Sequence, residues 1–198
     1  MSKTVLYMSM SVDGFIAGPD DSMEHGLGVD GECLHAWLTD GDVSPESHRP
    51  AAGPSAEVFD EMLGTGAVIV GRRTFEFADG WAGDHHNGVP IFVLTREAPA
   101  QPAPGHARYV TDGVESCVAQ ARSAAGDRDV MVHGAATAQA LLGAGLLDEL
   151  RLQLVPVLLG QGRRLFDHLP AEVVELDPAE PTEAPGVLHL RYRVRKES

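Results

Sequence analysis

The chain has 198 residues, 43% of them hydrophobic, and a formal net charge of −14 from 29 acidic and 15 basic side chains. That length suits one ordinary domain, 1–198, with enough chain for a sizeable core, and the apolar content argues against general disorder. The negative charge argues against a nucleic-acid-binding face and against an anionic membrane partner, so an anionic ligand has to meet positive charge gathered locally.

The opening MSKTVLYMSM holds only a strand-length apolar run rather than a charged-then-apolar signal, and no run approaches the ~20 apolar residues that span a bilayer. A cytoplasmic protein is expected. Residues Val5 to Met10, Ala67 to Val70, Ile91 to Leu94 and Val130 to Val132 are almost continuously apolar, the pattern of strands buried on both faces of a largely parallel sheet. Between them, Ser55 to Leu63, Val114 to Ala125 and Ala135 to Leu142 read as helices, with Val114, Val118, Ala121 and Ala125 at helical spacing. Two stretches rich in Gly, Pro, Ser and Asp, 20–30 and 41–54, read as irregular, with a helix-like segment Glu32 to Thr39 between them.

After Leu146 the period becomes two. Leu150, Leu152 and Leu154 share one face with Arg151 and Gln153 on the other, and Leu188, Leu190, Tyr192 and Val194 alternate with His189, Arg191, Arg193 and Arg195. The last segment reads as a half-buried antiparallel strand whose arginines form a solvated face. Strands alternating with helices, then a strand-rich end, give a three-layer α/β fold around a mixed, mainly parallel sheet with antiparallel C-terminal strands.

Three turns gather anion-binding chemistry. His133-Gly134-Ala135-Ala136-Thr137 opens a helix, where backbone N–H groups lack acceptors and the macrodipole is positive, and nothing larger than a methyl group blocks close approach before Thr137. Gly134 serves a plain tight turn equally well. Gly71-Arg72-Arg73-Thr74 follows a strand with two guanidiniums, whose fixed forks suit phosphate, and Thr95-Arg96 ends the next strand after Leu94. Arg163 and Arg164 lie in a Gly-rich turn; Gly143-Ala144-Gly145 reads as a helix end and Gly160-Gln161-Gly162 as a strand turn. Neither is a dinucleotide fingerprint.

These segments, MSMSVDGFIAG (8–18), VIVGRRTFE (68–76), IFVLTR (91–96) and the HGAAT turn, together resemble the dihydrofolate reductase-like superfamily, and more closely the reductase domain of riboflavin biosynthesis with its stand-alone bacterial relatives. The most specific piece is GLLDELRLQLVPVLLGQGRRLF (145–166). This resemblance implies an NADPH-dependent reductase that transfers hydride to a small carbonyl, imine or pyrimidine/pterin-like acceptor. It implies that Ala17 borders the nicotinamide, that Thr95 and Arg96 with Arg72 or Arg73 hold the 2′-phosphate, and that the HGAAT turn holds the diphosphate. The family's turn is glycine-rich where this chain has His133, Gly134 and Ala135, so one glycine remains. The resemblance also implies pairing of two copies through the C-terminal strands, a homodimer with Val155, Val157 and Leu159 at or near the interface; an internal core explains the same residues.

For the acceptor side, Asp13, Trp37, Phe59 and Trp81 are the candidates, although Asp13 before Gly14 also fits a turn cap and the aromatics also fit a core. Asp30 is the candidate proton donor. Asp84-His85-His86 lacks the spacing of a defined metal site and reads as a solvated loop, and Cys33 and Cys117 read as two unrelated thiols. No H-x-E…C-x-x-C deaminase signature is present. A non-catalytic nucleotide-binding or ligand-sequestering module is the alternative to a reductase, and a flavin or deazaflavin cofactor a third reading.

Overall fold

The structure, a computed structural model, describes residues 2–39, 49–50, 52–169 and 172–196. The four apolar runs and a fifth strand that the sequence reading did not contain become parallel neighbours: β1 (Thr4–Ser11), β3 (Ala67–Gly71), β4 (Ile91–Leu94), the added β5 (Ala107–Val110) and β6 (Val130–His133). Between the first two in sequence lies the short β2 (Phe15–Ala17), which pairs with β8 (Arg163–Arg164) in a separate two-stranded ribbon. β7 (Glu149–Val155) runs parallel to β1, and β11 (Val187–Val194) antiparallel to β7. With β9 (Leu176–Pro178) and β10 (Thr182–Ala184), both antiparallel to β11, the described residues make a nine-stranded sheet of order β10-β11-β7-β1-β6-β3-β4-β5 with β9 also on β11.

Helices cover both faces. α3 (Val114–Ala125) and α4 (Ala135–Gly143) pack on the side that receives Leu6, Ile69, Phe92, Val132, Leu150 and Leu152. α1 (Pro54–Leu63) and α2 (Arg72–Phe77) contribute to the opposite side, where Val5, Tyr7, Val68, Val70 and Met131 point with Phe75 and Met62. Because successive strand residues alternate faces, continuous apolar runs are what a sheet sandwiched between helices requires.

The period-two reading of β7 and β11 holds in direction and fails in exposure. Arg151, Gln153 and His189 are buried, and Arg191 is half-buried. The solvated face expected there is instead roofed by α1: Glu61 accepts from both Arg151 and Arg191, and Ser55 Oγ lies 3.1 Å from His189 Nε2. Arg151 also donates to Tyr7 Oη at 2.7 Å and to Glu149 at 3.0 Å, so this buried guanidinium has charged and neutral acceptors. Only Arg193 and Arg195 of the alternating arginines are exposed, Arg195 pairing with Glu175 and Asp177.

Other differences are local. The helix-like segment forms a 3-10 helix, Gly31–Leu38, and a second 3-10 segment, Asp79–Gly83, was not legible because Gly80, Trp81 and Ala82 all adopt left-handed backbone. Stretch 20–30 contains no strand or helix, while 41–48 and 51 of the other irregular stretch lie outside the described residues. Val155, an expected interface residue, packs internally with Leu34, Trp37 and Val187; Val157 and Leu159 are partly buried against that cluster. The side chain facing outward is Leu158, 74% exposed. No helix among the described residues is long and apolar enough to cross a membrane.

Candidate active site

In a parallel sheet the C-terminal strand ends share one edge, and here β3 and β6 are neighbours with Val70 opposite His133. α2 and α4 therefore start side by side, at Gly71 and Gly134. Each start presses on the other: a Cβ on Gly71 would lie 3.0 Å from Thr137 Oγ1, and a Cβ on Gly134 would overlap Thr74 Oγ1. Gly134 adopts φ +86, a left-handed conformation that suits glycine. The one glycine kept in the HGAAT turn thus stands where φ is positive, and Ala135 and Ala136 are already helical. No side chain caps either helix, leaving first-turn N–H groups for another acceptor. Thr137 Oγ1 is buried and lacks a hydrogen-bond partner. Paired bare helix starts with a buried unpaired hydroxyl between them fit a phosphate ester.

Beside these starts a cavity of about 600 Å³ opens over the place where β1 outruns β6. Of the expected cofactor residues, Ala17, Arg73, Thr74, His133 and Gly134 line it. Gly71, Ala135, Ala136 and Thr137 flank it through the helix starts, whereas Leu94, Thr95, Arg96 and Arg72 are outside its wall, around the ends of β3 and β4, where Gly71 pairs with Leu94. Arg72 is held by Glu76 at 2.7 Å, and Thr95 Oγ1 donates to the Glu97 carbonyl at 2.9 Å.

Trp37 and Trp81 are in the wall; Asp13, Phe59 and Asp30 are not. The indole N–H of Trp37 donates to Ser9 Oγ at 2.9 Å, which fixes the ring against the floor. Asp13 instead ties two loops together, accepting from Ser11 Oγ at 2.6 Å and from the N–H groups of Leu159 and Gly160 at 3.1 and 2.7 Å. Those bonds, the serine's foremost, hold its carboxyl below the usual range. Asp30 is exposed with φ 59 at the start of the 3-10 helix, whereas Glu32, two residues on, reaches the wall, as do Asp21 and Glu24.

Among the floor and wall positions that sequence reasoning missed are Tyr7, Ser9, Gln153 and His85. A signal existed, since Ser9 and Gln153 are polar residues inside strands that are otherwise apolar or buried. Burial keeps the Tyr7 phenol protonated, raising it well above its ordinary value despite the adjacent Arg151.

His85 and His86 depart most from expectation. Instead of a solvated loop they form, with His133, a chain of ring-to-ring bonds: His133 Nε2 to His85 Nε2 at 3.0 Å and His85 Nδ1 to His86 Nδ1 at 2.7 Å. The Tyr7 carbonyl, 3.0 Å from His133 Nδ1, can only accept, so that nitrogen carries hydrogen. At the other end of the chain His86 Nε2 lies 3.2 Å from Thr65 Oγ1 and 3.3 Å from the Thr65 carbonyl, and that hydroxyl donates to the Met62 carbonyl at 2.9 Å. Burial disfavours the cations, lowering His133 to about 4 and His85 to about 2. Trp81 covers the chain, its ring centroid 4.6 Å from that of His85 and 6.0 Å from that of His133. It does so from a strained left-handed turn, a conformation that side chains seldom adopt without surrounding support.

The model of one protein family, described as the RibD C-terminal domain, matches residues 2–190. The chain belongs to that family. Among relatives, the uncharacterized protein YwjB of Bacillus subtilis (strain 168) is 25% identical over 171 residues, 86% of each chain. A putative riboflavin biosynthesis protein from Shewanella sp. PV-4 superposes with TM-score 0.74 at 20% identity, covering 98% of this chain and 99% of that one. Dihydrofolate reductase from Enterococcus faecalis, in complex with NADP(H) and RAB-propyl, superposes with TM-score 0.57 at 15% identity, covering 98% and 97%. The fold of this RibD C-terminal domain member is therefore dihydrofolate reductase-like.

Proposed function

We propose that this protein is an NADPH-dependent reductase acting on a small carbonyl, imine or pyrimidine-like acceptor. The observation that carries this reading is the juxtaposition of the two bare helix starts, with Gly134 against Thr74 and Gly71 against Thr137, beside a cavity large enough for a flat ring. Bound NADPH would supply the hydride. In this reading the N–H groups of α4 and the hydroxyls of Thr74 and Thr137 hold the diphosphate, and the backbone at Ala17 the carboxamide. Arg96 and Arg72 face the 2′-phosphate, since the Arg72–Glu76 pair is exposed and cheap to exchange. Tyr7, Ser9, Trp37 and Gln153 form the acceptor's floor. Asp30 is assigned no proton transfer, because it is exposed and outside the wall.

The same reading makes the protein a cytoplasmic homodimer acting on a small molecule, with no nucleic-acid or membrane partner, in keeping with its net charge of −14. Titration with the two reduced nicotinamide nucleotides tests the cofactor. NADPH is expected to bind more tightly than NADH, and Arg96→Ala to weaken NADPH by about 1–3 kcal/mol, the range for a hydrogen bond to a charged group, with little change for NADH. Equal affinity of the parent protein for both would sink the assignment. Acceptor-dependent oxidation of NADPH separates a reductase from a module that only binds nucleotides.

A further inference from the structure

One carboxylate in the cavity wall is held by two arginines from unrelated elements. Asp21 belongs to the irregular segment after β2, Arg73 to the first turn of α2, and Arg163 to β8. Arg73 grips Asp21 as a fork, Nη2 to Oδ1 at 2.9 Å and Nε to Oδ2 at 3.2 Å, and its Nη2 also donates to the Asp21 carbonyl at 3.1 Å. Arg163 Nε adds a bond to Oδ2 at 3.0 Å. Phe77 supports the Arg73 guanidinium, which lies 4.2 Å from the ring centroid. All three charged residues line the cavity together with Thr74 and Gly134.

Two guanidiniums share this one carboxylate, and Glu24 and Glu32, which also line the cavity, bond to neither of them among the described residues. A guanidinium fork fits phosphate as it fits carboxylate, and a phosphate brings more charge and more acceptor oxygens. The preceding Asp20 has φ 57, a left-handed backbone on a non-glycine residue. No helix or strand forms from Asp20 to Asp30; Ser22 N and Gly28 N donate to the His25 carbonyl, and the segment is tied back to the end of β2 by Val29 N to Pro19 O and Gly18 N to Leu27 O.

We propose that Arg73 and Arg163 form a phosphate seat which Asp21 fills from within the chain, so that a phosphate-bearing ligand binds by exchange with Asp21 and frees segment 19–30. The seat itself does not depend on the reductase reading; only the identity of the ligand that brings the phosphate does. Bonds to Asp21, burial notwithstanding, keep its carboxyl below the ordinary range, so the carboxylate competes as an anion at neutral pH.

Inorganic pyrophosphate is the probe, titrated calorimetrically into the full chain. Asp21→Asn removes the competing charge and is expected to tighten pyrophosphate by about ten-fold, the scale of losing charge-assisted bonds. Arg163→Gln placed on top of it reverses that gain. Unchanged or weaker binding in Asp21→Asn overturns the seat. Because that variant can also misfold, a second measurement uses the parent chain: a glutamate-specific protease cleaves at the exposed Glu24. Pyrophosphate is expected to speed this cut, and protection or no change overturns the exchange. Titrating NADPH in parallel keeps the two readings apart, since a pyrophosphate response without NADPH binding sinks the cofactor assignment alone, and NADPH binding without the response sinks the seat alone.

Discussion

Gly134 shows how much a single position can be asked to do. It ends β6 and starts α4, it takes positive φ, and its missing Cβ leaves room for Thr74 Oγ1. A β-branched residue there loses on both counts: the left-handed backbone costs about 1–2 kcal/mol, and the side chain meets the Thr74 hydroxyl. Gly134→Val is therefore expected to abolish nucleotide binding while the far-UV circular dichroism stays nearly native, because the strand and helix that flank the turn are held by core contacts elsewhere. Retained binding in a folded variant would return the turn to a purely structural part. Asp13 is the contrasting case. Its neighbour Gly14 marked a turn in the sequence; Ser11 Oγ donates to Asp13 within that turn at 2.6 Å, and two bonds at 3.1 and 2.7 Å close the turn against residues 159–160.

At the scale of elements, the buried apolar strands were legible because each face of a covered sheet selects for them, whereas the polar partners of one element depend on another far along the chain. Arg151 and Arg191 are unremarkable as letters; α1 makes them interior by bringing Glu61 over the sheet. The histidine chain has the same origin, joining the loop at 85–86 to the end of β6 and to Thr65. Its consequence for stability follows from linkage. Burial lowers His133 to about 4, His85 to about 2 and also lowers His86 and His189, so as pH falls below about 6.5 the unfolded chain takes up protons that the folded chain refuses. Stability is full above that pH and is lost going down, by an amount on the order of 2 kcal/mol for each of His85 and His133 between about 6.5 and 4.5, before the carboxylates begin to contribute. Urea unfolding at a series of pH values measures it, and His85→Gln should show a shallower slope over that window. An identical slope in parent and variant would falsify the role given to this histidine.

Leu158 at 74% and Val12 at 57% are exposed, and the Val12 N–H donates to the Val157 carbonyl at 3.0 Å, which brings the two apolar side chains onto neighbouring backbone. A two-fold interface would cover such a patch with itself. Sedimentation equilibrium at micromolar concentration is expected to give twice the 21.1 kDa chain mass, and Leu158→Glu to shift the protein toward that single mass. A parent protein that sediments as the single chain refutes the dimer and leaves Leu158 an ordinary surface side chain.

Periodicity determined, from the sequence alone, the strands 5–10, 67–70, 91–94 and 130–132, the helices 55–63, 114–125 and 135–142 and the alternating end, while the motif-bearing segments carried the family resemblance. These are local signals, written by which face of each element is covered. The tertiary structure decided which charges meet: that Asp21 answers Arg73 and Arg163, that Trp37 binds Ser9, and that three histidines line up behind Trp81. Those contacts join residues tens of positions apart, and a side chain's partner, burial and protonation are set by the elements that fold over it rather than by its neighbours along the chain.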